Sequence, residues 1–380
     1  MQLQNELNGL SVVSLEQAVS APYCGMLLAD AGARVIKIER PEGDFARDYD
    51  TGANGESAIF AWLNRGKQSI CLDLNSKKDY AVLVNMLAQV DIFISNLAPG
   101  ALDRKGLSAV TIRKLNPKII NCSISGYCLK GPLKKRKAYD FLVQGEVGLC
   151  SVTGTAENPA RVGISITDIA TGLTAFSAIL RALIQRSING SGVDIDLSMF
   201  DVMAEWMNMP LLGHRYMGGA PERTGLSHSF VAPYGAFKTK DKKNILLSIQ
   251  NNREWESFCV SVLKSVELVS NQKFKTNVER YKNKSELEKI ISDIFIQYNK
   301  KSLINNLRAA SIAFANLNSV EDLSEHIIIK NKKINYGSMI VSVADLPISN
   351  NQNVLSKAPS LNENEASIRN EFGLIETKTK

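Results

Sequence analysis

Apolar, β-branched runs alternate with helix-like patterns through the first two hundred residues of the chain. The runs 10-LSVVSL-15, 34-RVIKIER-40, 69-SICLDL-74, 91-DIFISN-96, 118-KIINCSISG-126 and 193-VDIDLSMF-200 read as strands. Between the first two, 19-VSAPYCGMLLADAGA-33 carries the start and stop signals of a helix: Ser20 near an N-cap position, Pro22 in the first turn and Gly32 at the far end. Helical patterns also fill 77-KKDYAVLVNMLAQ-89 and 107-LSAVTIRKLN-116. Strands alternating with helices imply βαβ crossovers and a mainly parallel sheet covered on both faces. In such sheets ligands gather at the carboxyl ends of the strands.

After residue 205 the pattern changes. The segment 206-WMNMPLLGHRYMGGAPERTGLSHSF-230 is rich in Gly, Pro and Met and reads as a connector. Next, 231-VAPYGAFKTKDKKNILLSIQ-250 reads as a β-hairpin turning at Lys240–Lys243. Helical stretches follow at 253-REWESFCVSVLKS-265, 285-SELEKIISDIFIQYNK-300 and 302-SLINNLRAA-310, which together give a smaller α+β domain. From 331-NKKINYGSMIVSV-343 the chain offers a strand and then a polar tail.

Length and composition fit this picture. A chain of 380 residues, 44% hydrophobic and 22% charged, buries a large core without staples. Polar residues break the longest apolar runs short of a membrane span, and the N-terminus lacks the pattern of a secretory signal, so no membrane association is expected. Six scattered cysteines form no CxxC pair and fit a reduced cytoplasm. His214, His228 and His326 share no ligand spacing, so no metal is expected. The formal charge is +7, but aromatics do not interleave with the basic runs, which argues against nucleic acid and leaves room for an anionic small ligand.

Nucleophile elbows, P-loops and zinc-protease motifs are missing, and EQAVSAP after the first strand lacks the glycines of a dinucleotide turn. That leaves carboxylates. In 165-SITDIATGLTAFSAILRALI-184 a buried-helix pattern starts at Thr167 and Asp168. An acid there reads either as a plain helix cap or as a reagent that the helix start keeps ionised, better suited to a nucleophile than to a general acid. Asp140, in 136-RKAYDFLVQGEVGL-149, presents the same two readings.

Six blocks then add up. In order they are 33-ARVIKIERPEGD-44, 63-LNRGKQSICLDL-74, 95-SNLAPGALDRKGL-107, 118-KIINCSISGY-127, 137-KAYDFLVQGEVGL-149 and 163-GISITDIATGL-173. Together they resemble the class III CoA-transferases, the group of formyl-CoA transferase and carnitine CoA-transferase. The resemblance implies an interlocked homodimer of ring-like subunits. Each would have a Rossmann-like large domain from residues 1–205 and 331–380, with a small domain and linker at 206–330. It places the family's nucleophilic aspartate on Asp168 and a second active-site acid on Asp140. Contacts to CoA, the substrate and sole cofactor, would fall on Val19, Ser20, Arg40, Leu72, Asn75, Asn96, Leu97, Arg104 and Lys137.

The implied chemistry is transfer of CoA from an acyl-CoA, succinyl-CoA first, to a free carboxylic acid through a covalent aspartyl intermediate. The tracts 146–172 and 201–219 look most like the branch that handles short dicarboxylates such as itaconate, mesaconate and citramalate. Arg47, Arg161, Arg215 and Arg223 are candidates to pair with an acceptor's second carboxylate. Two alternatives stay open: an α-methylacyl-CoA racemase of the same fold, disfavoured by the scarcity of histidine, and a non-catalytic CoA-binding protein. Relatives often carry Leu-Gly-Glu-His-Thr near the C-terminus; here the chain reads LNENE at 361–365.

Overall fold

The computed structural model describes residues 5–128, 131–348 and 355–373. The chain divides into two compact units, one of residues 1–149, 162–208 and 328–380 and the other of 150–161 and 209–327.

In the first unit the six expected strands form one parallel sheet: β1 (Ser11–Leu15), β2 (Arg34–Glu39), β3 (Lys67–Cys71), β4 (Ile92–Ser95), β5 (Ile120–Ser125) and β6 (Asp194–Ser198). Their order is β3-β2-β1-β4-β5-β6. β1 is therefore flanked by β2 and β4, and the winding reverses there, which opens a crevice beyond the strand ends. Side-chain alternation explains why both faces must be covered. Val13, Ile36, Ile38 and Phe93 pack on one side with Leu83 and Met86 of helix Lys77–Gln89. Their neighbours Val12, Val35, Ile92 and Ile94 pack on the other with Cys24 and Leu28 of helix Ser20–Asp30 and Ala175 and Ile179 of helix Ile166–Asn189. Among the described residues this last helix alone is long and apolar enough to cross a membrane; Ala170, Thr171, Ala175, Ile179 and Ala182 bury its inner side, as in a core helix.

The C-terminal region holds more structure than a strand and a tail. β10 (Asn331–Tyr336) and β11 (Met339–Ala344) form an antiparallel hairpin, β12 (Ser356–Lys357) pairs with β10, and a helix runs Glu365–Phe372. That helix escapes a periodicity reading because only Ile368 and Phe372, one turn apart, are buried, against the β1–β3 face. The polar LNENE stretch covers the edge of β3 instead: Asn364 Oδ1 accepts Ser69 N at 3.0 Å and Asn362 Oδ1 accepts Cys71 N at 2.8 Å. Side-chain amides thus satisfy an edge that another strand would otherwise complete.

The second unit carries the expected hairpin as β7 (Tyr234–Lys238) and β8 (Asn244–Ser248), extended by β9 (Ala313–Asn316). Helices Lys284–Phe295 and Lys300–Ala309 close its core around Trp255, Phe258, Phe274 and Phe295.

Candidate active site

At the carboxyl ends of β1–β4 lies a cleft of about 420 Å³. Leu15 ends β1 and Glu16–Gln17 follow it, Ile38 and Glu39 end β2 and residues 40–44 follow it, residues 72–75 follow β3, and Leu97 lies beyond β4. Four residues from the expected CoA-contact set, Arg40, Leu72, Asn75 and Leu97, line it. Asn96 does a different job. Its amide accepts Gln17 N at 3.0 Å and donates to Gln17 O at 2.8 Å, so it ties the β1 loop to β4. Val19 and Ser20 are buried at the start of helix Ser20–Asp30, while Arg104 and Lys137 are exposed and do not line the cleft.

Asp168 and Asp140 meet at the start of helix Ile166–Asn189, which follows Ser165 with no side-chain cap of its own. The cap comes from across the site. Asp140 Oδ1 accepts Thr167 N at 2.8 Å and Asp168 N at 3.4 Å, and its Oδ2 accepts Gln144 Nε2 at 2.7 Å. The sequence reading assigned the helix-start stabilisation to Asp168; the structure assigns it to Asp140. Asp168 is consequently pushed up to about 7, by burial first and by the neighbouring Asp140 charge second, against a hydrogen bond with Ser20. It therefore stays partly protonated near neutrality rather than strongly ionised.

Two close approaches hold this arrangement. Helix Ile166–Asn189 crosses the start of helix Ser20–Asp30 at Gly172, where a Cβ would lie 2.5 Å from the Ser20 carbonyl oxygen. That contact brings Ser20 over Asp168. After β5, a Cβ on Gly126 would lie 2.1 Å from the Ala138 Cβ, so glycine lets the chain reach Tyr139 and Asp140 at the required place. Val143, Ala170, Met199, Val202 and Met203 form the apolar floor beneath. Tyr49 belongs here as well: burial, then Asp44, Asp168 and Tyr139, push its hydroxyl up to about 12.

Beneath the cleft the structure places a buried charge lattice that sequence reasoning missed. Lys37 Nζ bonds Asp44 at 2.8 Å and Glu16 at 3.4 Å, and Lys67 Nζ bonds Glu16 at 2.5 Å, Pro22 O at 2.9 Å and Asn64 Oδ1 at 3.0 Å. All four charged side chains are inaccessible to solvent or nearly so. Desolvation pulls Lys67 down to about 8, while in Lys37 the surrounding carboxylates overcome desolvation and hold it raised. The available signal was a lysine in the middle of RVIKIE, an otherwise apolar parallel strand. Arg47, a candidate partner for an acceptor carboxylate, is committed elsewhere: it forks onto Glu39 at 2.7 and 2.9 Å. Arg223 donates to the carbonyls of Ser151, Thr155 and Ala156.

Comparison with known proteins gives the site its context. Residues 7–365 match CoA-transferase family III. The chain is 34% identical over 331 residues to succinyl-CoA:glutarate CoA-transferase of Mus musculus, covering 86% of this chain and 75% of that protein. It is 31% identical over 378 residues to acetyl-CoA:oxalate CoA-transferase of Acetobacter aceti, covering 98% and 97%. The crystal structure of a CAIB/BAIF family protein from Brucella suis superposes with a TM-score of 0.80 at 31% identity, over 97% of this chain and 99% of that one. A matched family over nearly the whole length, with a doubly wound sheet that opens at its switch point, leaves one assignment: this chain belongs to CoA-transferase family III and is a CoA-transferase.

Proposed function

We propose that this CoA-transferase moves CoA from a short acyl-CoA, succinyl-CoA first, to a short dicarboxylate, through a covalent intermediate on Asp168. The observation that carries the reading is the Asp168 carboxyl itself, half-buried, met by Ser20 and held beside a second acid. An Asp168 carboxylate oxygen attacks the thioester carbonyl, the C–S bond breaks, and CoA thiolate departs to leave a mixed anhydride. The thiolate attacks the aspartyl carbonyl of that anhydride, releasing the donor acid and forming an aspartyl-CoA thioester. The acceptor carboxylate attacks this thioester and expels the thiolate, which then takes the acceptor acyl group and restores Asp168. One hard exchange becomes a series of easier ones with no metal or histidine base.

In this reading the cleft at β1–β4 receives CoA, with Arg40 at its rim for phosphate or adenine and the backbone beyond β1 and β3 around the pantetheine arm. The dicarboxylate assignment draws on relatives named for glutarate, mesaconate and D-citramalate. The test is a panel: purified protein, succinyl-CoA, and glutarate, oxalate, mesaconate, itaconate or citramalate, followed by chromatography of the CoA esters. Hydroxylamine added during turnover converts the activated aspartate to a hydroxamate that mass spectrometry locates at Asp168. Absence of transfer to every dicarboxylate in the panel sinks the substrate class.

The interlocked homodimer and a cytoplasmic setting complete the proposal. Leu173, Ile184 and Ile188 stand exposed along one side of helix Ile166–Asn189, an apolar stripe suited to burial against a second copy. Cys24, Cys71, Cys122, Cys150 and Cys259 are free thiols, which suits a reducing compartment. Light scattering on the eluting protein gives twice the chain mass; a monomer at micromolar concentration removes the dimer.

A further inference from the structure

The acid pair has a polarity, and a third side chain sets it. Gln144 is fully buried and engaged at both ends. Its Nε2 donates to Asp140 Oδ2 at 2.7 Å, and its Oε1 accepts Val162 N at 3.0 Å, where the chain re-enters the first unit from Arg161. Because a backbone N–H can only donate, Val162 fixes which end of the amide faces it. The other end must present N–H to Asp140. Asp140 then receives three N–H donors, from Thr167, Asp168 and Gln144, the environment of a carboxylate rather than a carboxylic acid.

We propose that Gln144 is a positioning residue whose fixed amide makes Asp140, not Asp168, carry the standing negative charge of the acid pair. This goes beyond the function proposed above and rests on it only where turnover is the readout. Around the Asp168 carboxyl, helix Asp140–Glu146 presents Asp140 and helix Ser20–Asp30 presents the Ser20 hydroxyl. Tyr49, itself acted on by Asp44, Asp168 and Tyr139, faces it from the turn after β2. Of the other elements packed near helix Ile166–Asn189, helix Met199–Trp206 carries Asp201 and Glu205 and β6 carries Asp194 and Asp196, while Asp201 is engaged with Ser198 and Asp194 with Arg113. The charge of Asp140 is what distinguishes Asp168 from an acid that is merely buried.

An exchange of side chains tests this without removing a hydrogen bond. In D140N/Q144E, the new amide at position 140 still accepts the helix N–H groups through Oδ1. Its Nδ2 donates to the new carboxylate at position 144, whose second oxygen accepts Val162 N. Every bond is restored, but the charge moves one side chain further from Asp168. Each single variant breaks the polarity. D140N sets donor against donor, and Q144E sets two acceptors face to face unless a proton is taken up.

The measurement is the pH titration of the Asp168 carboxyl by carbon NMR on protein labelled in aspartate, its signal assigned by loss in D168N. Relative to the parent, the exchange should lower the Asp168 titration midpoint by at least about one pH unit, with a thermal midpoint close to the parent's. Both single variants should melt below it. An Asp168 titration unmoved by the exchange overturns the proposal, as does a Q144E protein that titrates and melts like the parent. The acid limb of kcat/KM tells this apart from the function assigned above: in the parent it should bend at about 7 and fall tenfold per pH unit below. A midpoint that moves while the limb stays put upholds the role of Gln144 and removes Asp168 as the nucleophile.

Discussion

Asp168→Ala protein loses CoA transfer by at least about 10³-fold, equivalent to about 4 kcal/mol of barrier, and forms no hydroxamate when hydroxylamine is present. The loss should appear in kcat, because the cleft proposed to receive CoA at β1–β4 does not include Asp168. Asp168→Asn shares the inactivity but carries an opposite consequence for stability. Below the ordinary aspartate range both folded and unfolded chains hold the proton. Between that range and about 7 the folded chain keeps a proton that the unfolded chain has lost, so stability falls as pH rises; above about 7 the whole penalty is present. Asparagine keeps a partner for Ser20 and carries no charge to bury. Asp168→Asn should therefore be more stable than the parent at pH 8, by about 1.4 kcal/mol for each pH unit of displacement, and the gain should vanish towards pH 4. Urea unfolding at pH 8 and pH 4 reads both values. An inactive variant with no pH-dependent gain means that Asp168 is not held against burial and Asp140. A variant that still transfers CoA at the parent rate refutes the covalent mechanism.

The sequence made the sheet and the acid positions legible but not how the acids are held. Continuous apolar, β-branched runs found β1–β6 and period-3.6 patterns found the helices between them, because both faces of a parallel sheet bury apolar side chains and those patterns follow from burial alone. Asp168 could be placed at a helix start for the same reason. Its ionisation could not, because the group that takes the helix N–H donors comes from Asp140, 28 positions away and in another helix. Sequence distance hides such a partner, and a local cap rule assigns the stabilisation to the nearest acid. Gln144 is invisible for a related reason: mid-helix it reads as an ordinary good helix former, and only its burial shows that both amide ends are used. The C-terminal helix failed to register because two buried side chains are too few for a periodicity.

Lys67→Met costs about 3–5 kcal/mol of folding stability, because it leaves Glu16 as a buried anion with Lys37 alone, at 3.4 Å, and Lys37 is already matched by Asp44 at 2.8 Å. Methionine fits the space of the lysine stem, so the loss reports the charge rather than a cavity. Adding Glu16→Gln should recover most of it. The double variant removes one cation and one anion, leaving the Lys37–Asp44 pair intact and Ser14 still able to bond residue 16. The double-variant cost should be less than the sum of the two singles by at least about 1 kcal/mol in urea unfolding at pH 7.5. Strict additivity would mean that the two charges do not interact. Lys67 also bonds Pro22 O inside the first turn of helix Ser20–Asp30, and the backbone of Ala18 is held by Asp44 Oδ1 at 3.1 Å. The lattice therefore grips both sides of Ser20, the residue that meets Asp168. Its buried charges add little net stability over apolar side chains of similar volume. What they supply is a fixed register for the β1 turn, and through it a fixed hydroxyl over the Asp168 carboxyl.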